Sequence, residues 1–249
     1  SKKNVVGEGQ YPLKRGTETV GGILQKAGYK TCAVGKWGLG GPFNDGSPNQ
    51  QGFDHFFGYL CQREAHNYFP THLWRNETRV DLEGNKGGKQ LIGKHYAPDL
   101  INKEVLEFID GNHEKPFFLY YATIIPHVAL QVPENDTALA EYRKLWPNEK
   151  PYTGNRGYIP NKTPHATYAA MITRAIGSMF EEDSEWAVDQ EELMEGDNLT
   201  HFMHALANVA PAHVFNNLTG DSKNQLEFNH VANQLCFQYM NAAKEEKEA

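Results

Sequence analysis

The sequence predicts an α/β fold, a sheet flanked by helices, followed by an α-helical tail. Three observations carry that expectation. An amphipathic helical pattern over residues 98–110 runs into a near-continuous apolar stretch at 117–125, the helix-then-buried-strand order of layered α/β proteins. A short strand candidate, Thr31 to Val34, runs into a glycine-rich turn, Gly35 to Gly41. Composition then changes abruptly near residue 181, where Pro and Gly almost vanish and helical patterning takes over.

Taken in order, Thr19 to Ala27 reads as a helix with Val20, Ile23 and Leu24 on one apolar face. Gly28 stands just past its end, where glycine accepts a left-handed stop. In the 98–110 helix, Leu100, Ile101, Val105, Leu106, Phe108 and Ile109 supply the apolar face. Pro98 sits at the front, where its missing N–H does no harm. Phe117 to Ile125 is expected as a strand buried on both faces. Residues 128–166, rich in Pro and Asn, are expected as an irregular excursion. Thr167 to Met179 has Tyr168, Met171, Ile172, Ile176 and Met179 at helical spacing. In the tail, Asp197 can cap a helix Asn198 to Ala210, and Gln225 to Ala243 forms a second. The expected organisation is an α/β segment, 1–180, and an acidic linker with a helical tail, 181–249.

The chain has 249 residues, with 24 Lys+Arg against 31 Asp+Glu and a formal net charge of -7. That average hides a division: residues 1–180 carry 21 basic and 17 acidic residues, residues 181–249 carry 3 and 14. A net acidic chain argues against a nucleic-acid partner, which needs basic surface to replace counterions. No run of about 18 apolar residues occurs, so no membrane span is expected, and no apolar leader segment precedes the first helix. Cys32, Cys61 and Cys236 are too scattered for a disulfide framework or a cysteine-rich zinc site, and Cys61 reads as structural. His201, His204, His213 and His230 lack a metal-binding pattern and read as ordinary surface histidines, so no metal site is expected. Five Asn-x-Thr sequons, beginning at Asn76, Asn135, Asn161, Asn198 and Asn217, read as chance in an Asn-rich chain.

Three groups carry chemistry. Gly35-Lys36-Trp37-Gly38-Leu39-Gly40-Gly41 lacks Walker A spacing. Its glycines could let backbone N–H groups and the Lys36 ammonium converge on one anion; a plain turn with an exposed lysine is the other reading. His127 follows the apolar run, where open α/β sheets place ligand-facing residues; it could bind an oxyanion, protonate a leaving group, or cap a strand-end carbonyl. The stretch from Cys61 to Trp74 mixes Arg63, His66 and His72 with aromatics. It reads as recognition of an anionic, ring-bearing ligand or as a surface loop with buried aromatics.

These landmarks resemble the sulfatases of the alkaline-phosphatase-like superfamily. Gly35 to Gly40 resembles the family's lysine motif, and Gln51-Gly52-Phe53-Asp54-His55-Phe56-Phe57-Gly58-Tyr59 its G-F-D-x-F-F-G element. Lys115-Pro116-Phe117-Phe118-Leu119-Tyr120-Tyr121, Pro126-His127, Val132-Pro133-Glu134 and the helix from Tyr168 to Arg174 match further landmarks in the same order. The resemblance covers about residues 8–176 and is similar to bacterial arylsulfatase-like enzymes. It implies an incomplete sulfatase sandwich that acts on a small-molecule or glycan sulfate ester in the periplasm or outside the cell. It also implies formylglycine, made from C/S-x-P-S-R, as nucleophile and calcium held by carboxylates. By position, Lys36 matches the sulfate-contacting lysine and His127 the strand-end histidine, the catalytic candidates; Arg63, His66 and His72 are the substrate-binding candidates.

The departures are equally specific. Many relatives read G-K-W-H-L-G, but here Gly38 stands at the fourth position. No C/S-x-P-S-R occurs, and the paired N-terminal aspartates and the later S-D-N-G metal turn are missing. The chain therefore reads as an internal sulfatase segment without its modified residue and metal ligands, expected to be inactive alone. A non-catalytic anion- or glycan-binding remnant and a nonfunctional truncated or fused product are the alternatives.

Overall fold

Lys30–Lys36 forms β1, and its burial runs almost without a break from Thr31 to Gly35. β1 is flanked on both sides. It pairs parallel with β2 (His55–Tyr59) and parallel with β5 (Phe117–Ala122). Beyond β2 the sheet turns antiparallel, through β3 (His72–Arg75) and β4 (Thr78–Asp81), giving the order β4-β3-β2-β1-β5. This computed structural model describes residues 11–87, 92–127, 129–154 and 158–177. They fall into two units, one running to Ile125 with Gln131–Glu134, the other comprising Pro126–Leu130 and the residues from Asn135 on. The mixed sheet with helices is the α/β architecture the sequence predicts.

The first unit contains the sheet. α1 (Val20–Lys26) is capped by Thr19, whose hydroxyl oxygen accepts from the Gly22 N–H at 3.0 Å and whose O–H donates to the Gln51 carbonyl at 2.7 Å. The expected apolar face of this helix is not the buried one. Val20 and Ile23 are exposed, and the helix approaches the sheet through Gly21, where a Cβ would lie 2.8 Å from the Phe53 ring. Close approach by glycine turns the larger residues outward. α2 (Ala97–Asp110) has Pro98 in its first turn and buries Ile101, Val105 and Phe108, three of the six residues expected to form its apolar face. Its neighbours on the sheet are β1 and β2. A second apolar cluster joins Ala33, Trp37, Phe53, Phe56, Leu60 and Trp74.

β5 corrects a second expectation. It ends at Ala122 rather than Ile125, and its six residues are half-buried or, at Tyr120, exposed. Among the described residues it lies at the sheet's edge, with one strand neighbour. The strand buried on both faces is β1.

The second unit corrects the expected irregular excursion. Asp136 caps α3 (Thr137–Leu145), accepting from the Leu139 N–H at 3.0 Å, and its other oxygen accepts from Arg174 at 2.8 Å. Arg174 lies on α4 (Pro164–Gly177), whose first-turn N–H groups at His165 and Ala166 donate to the buried Glu149 carboxylate. Between the helices, Tyr152 and Asn161 pair as an isolated bridge. Residues 178–249, with the expected tail helices, their histidines and Cys236, lie outside the described residues.

Candidate functional site

Lys36 ends β1 and stands in register with Tyr59, the last residue of β2. The two chains stay paired beyond the strands: the Trp37 N–H donates to the Tyr59 carbonyl at 2.9 Å and the Gly38 N–H to the Leu60 carbonyl at 3.2 Å. Glycine permits three strands to close here. A Cβ on Gly35, at φ +109°, would lie 2.1 Å from the Ala122 carbonyl oxygen, and one on Gly58, at φ +143°, 2.0 Å from that of Gly35. Two amides of the expected anion cradle, those of Trp37 and Gly38, are thus engaged in strand pairing. Trp37 anchors the loop that follows, donating from Nε1 to the Gly46 carbonyl at 2.7 Å and meeting the Phe53 ring edge-on.

Burial pushes the half-buried Lys36 below the ordinary lysine range. Among the described residues no carboxylate forms an ion pair with it. A desolvated cation without a counter-charge gains most when an anion arrives. After β2 the chain forms a short 3-10 turn, Glu64–His66. Burial lowers the His66 pKa, and the Lys36 and Arg63 cations lower it further. The fold thus brings His66 within electrostatic reach of both Lys36 and Arg63, with Arg63 exposed and His66 half-buried.

His72 has a different setting. It opens β3 in a buried position, with Nδ1 3.2 Å from the Thr71 hydroxyl and Nε2 3.5 Å from Glu64. Its ring meets Trp74 edge-on. Those contacts tie the turn beside Arg63 to the sheet. His127, in the second unit, occupies a bend rather than the end of the strand, half-buried, with its ring 5.5 Å from that of Tyr158.

Cys32 and Cys61 are buried free thiols, and burial pushes the Cys32 thiol far above its ordinary value, the opposite of nucleophile activation. Among the described residues no three His, Cys, Asp or Glu side chains converge as metal ligands. The sequence reading missed a charged group at the other end of the sheet. There, Glu104 accepts from His55 Nε2 at 2.7 Å and from the Arg75 guanidinium. Its only trace in sequence is a histidine opening the apolar strand 55–59 and a glutamate on the inner face of α2.

Comparison with known proteins agrees with these landmarks. The family model named Sulfatase matches residues 2–181. Over 106 residues the chain is 31% identical to an N-acetylglucosamine-6-O-sulfatase of Bacteroides thetaiotaomicron, a match covering 42% of this chain and 16% of that protein. It is 34% identical over 116 residues to arylsulfatase J of Mus musculus, covering 44% of this chain and 19% of that one. The matched part is thus less than one fifth of either relative. Among solved structures it is similar to Ps i-CgsB in complex with k-i-k-neocarrahexaose, with a TM-score of 0.44 and 26% identity over 70% of this chain and 40% of that one.

Proposed function

Because this chain belongs to the sulfatase family, we propose that it supplies the sulfate-recognition end of a sulfuric ester hydrolase acting on aryl or carbohydrate sulfates. The observation that carries this reading is Lys36, a half-buried cation without a carboxylate partner among the described residues, within electrostatic reach of His66. An arriving sulfate restores the solvation that Lys36 lost on folding and favours a proton on His66. Lys36 binds a non-bridging sulfate oxygen, where negative charge must be held during transfer. By the family resemblance His127 is the second catalytic candidate, an imidazole suited to protonating a departing ester oxygen near neutral pH. Arg63, on the exposed side, meets the remainder of an anionic substrate. His72 acts by holding Glu64. The relative named as an N-acetylglucosamine-6-O-sulfatase supports an amino-sugar sulfate as probe.

Sulfatases generally use formylglycine and a divalent metal. The residues present do not fit either group: the chain has no C/S-x-P-S-R, its two described thiols are buried, and among the described residues no set of donors converges. No step here runs through them. The purified chain accordingly binds a sulfate ester without turning it over. The periplasm or the cell exterior is the proposed location, as for the family. No helix among the described residues is long and apolar enough to cross a membrane.

The test is calorimetric titration with N-acetylglucosamine 6-sulfate, alongside incubation with calcium and an aryl sulfate. Saturable binding that Lys36→Ala weakens about 100-fold, with no product released, is the expected result. Turnover that depends on Lys36 would overturn the inactive reading, and absence of binding would overturn recognition. Binding without turnover also suits a non-catalytic sulfated-glycan-binding protein, a reading favoured by the missing nucleophile motif.

A further inference from the structure

We propose that Gln131 is a positioning residue, clasping the chain beside the turn that carries Arg63 and His66 so that the His66 ring is held within electrostatic reach of Lys36. The inference rests on the sulfate-recognition reading above. Gln131 is 1% exposed and lies four positions after His127 in sequence, within the first unit. Its side-chain oxygen accepts from the Tyr68 N–H at 2.7 Å, and its side-chain nitrogen donates to Asn67 Oδ1 at 2.9 Å. Its own carbonyl accepts from the Tyr96 hydroxyl at 2.9 Å, so the clasp is itself anchored.

Asn67 transmits that hold. Its N–H donates to the Glu64 carbonyl at 3.0 Å, closing the turn on which His66 sits. Its Oδ1 also accepts from the Phe69 N–H at 2.9 Å, and its carbonyl accepts from the Tyr59 hydroxyl at 2.8 Å. Tyr59 is the register partner of Lys36. Three hydrogen bonds therefore run in sequence from Gln131 through Asn67 to the turn and to the end of β2. Only a carboxamide presents a donor and an acceptor side by side for this task. A carboxylate keeps the acceptor for Tyr68 but sets oxygen against Asn67 Oδ1, and a thioether leaves both buried partners unmet.

The experiment measures three quantities on the full chain for wild type, Gln131→Met, Gln131→Glu and Asn67→Ala. They are affinity for N-acetylglucosamine 6-sulfate, the His66 titration by NMR, and the thermal midpoint. Cations acting on His66 include Lys36 on β1 and Arg63 beside its own turn. Loosening the turn should weaken binding by about 10-fold in Gln131→Met, less in Gln131→Glu. The His66 midpoint should rise toward ~6.5 as the ring gains solvent and leaves Lys36. A folded Gln131→Met or Asn67→Ala that lowers the thermal midpoint yet keeps wild-type affinity and His66 titration would overturn the proposal, leaving the clasp merely structural. If wild type itself fails to bind the sugar, the recognition reading falls, and the His66 titration still decides whether Gln131 positions the turn.

Discussion

The two ends of β1 and β2 use charge in opposite ways. At the N-terminal end, Lys30 lies 3.6 Å from Asp54, and His55 and Arg75 share Glu104. Burial alone would raise both carboxyls. Hydrogen bonds to Asp54 from Thr31 and Gln25, and to Glu104 from His55 and Arg75, outweigh it and hold them below the usual carboxylate range. Roughly 20 Å along the strands, burial pushes Lys36 and His66 down, and cationic neighbours add to the effect at His66. Charges that are paired within the chain hold elements together. A cation left without a carboxylate partner, as Lys36 is among the described residues, is costly to the fold and available to a ligand.

Substitutions at the two ends should separate these roles. The largest effect belongs to Lys36→Ala, which should weaken sulfated-sugar binding about 100-fold, near 2.7 kcal/mol, with no loss in the urea midpoint. Equal affinities would erase the distinction between the ends. Glu104→Ala should do the reverse, lowering stability by about 2 kcal/mol in urea melts while affinity stays within about 2-fold. It leaves Arg75 and the His55 ring without their shared acceptor, though both retain access to water.

The ends should also respond differently to pH. A carboxyl held low in the folded state stabilises above its unfolded value, ~4.3 for glutamate, and that contribution is lost as pH falls through the folded value. Urea midpoints should therefore drop between about pH 5 and pH 3, less steeply in Glu104→Gln. His66 has the opposite consequence for binding. The unfolded chain takes up its proton first, so protonation costs the free protein stability as pH falls below ~6.5. A bound sulfate offsets that cost, so affinity should rise with falling pH in wild type and flatten in His66→Gln. The smallest effect is Lys30→Met, whose partly exposed pair with Asp54 should be worth under about 0.5 kcal/mol.

Which residues touch which was only partly legible in the chain. Phe117–Ala122 looked like the inner strand because an apolar run reports hydrophobicity, whereas burial depends on having neighbours on both sides. Lys30–Lys36 looked short because Cys32, Ala33 and Gly35 are small, and small size is what lets β2 and β5 close on it. The β3–β4 hairpin escaped notice because Asn76-Glu77 replaces the usual Asn-Gly turn. Asn76 nevertheless takes φ +54°, and its Oδ1 accepts from the Phe56 N–H at 2.9 Å. α3 was hidden in a Pro- and Asn-rich stretch, although Asp136 before Thr137-Ala138-Leu139 is a readable cap.

By itself the sequence determined the family, through ordered local motifs, and the α/β class, through helical and strand periodicity. Both are properties of contiguous residues. Tertiary structure alone decided that the Trp37 and Gly38 amides pair with Tyr59 and Leu60, that His72 faces inward while His66 lies within electrostatic reach of Lys36, and that Gln131 grips Asn67. Each of these depends on a partner distant in the chain. Desolvation and counter-charge, which separate a structural ion pair from a waiting cation, exist only once those distant segments meet.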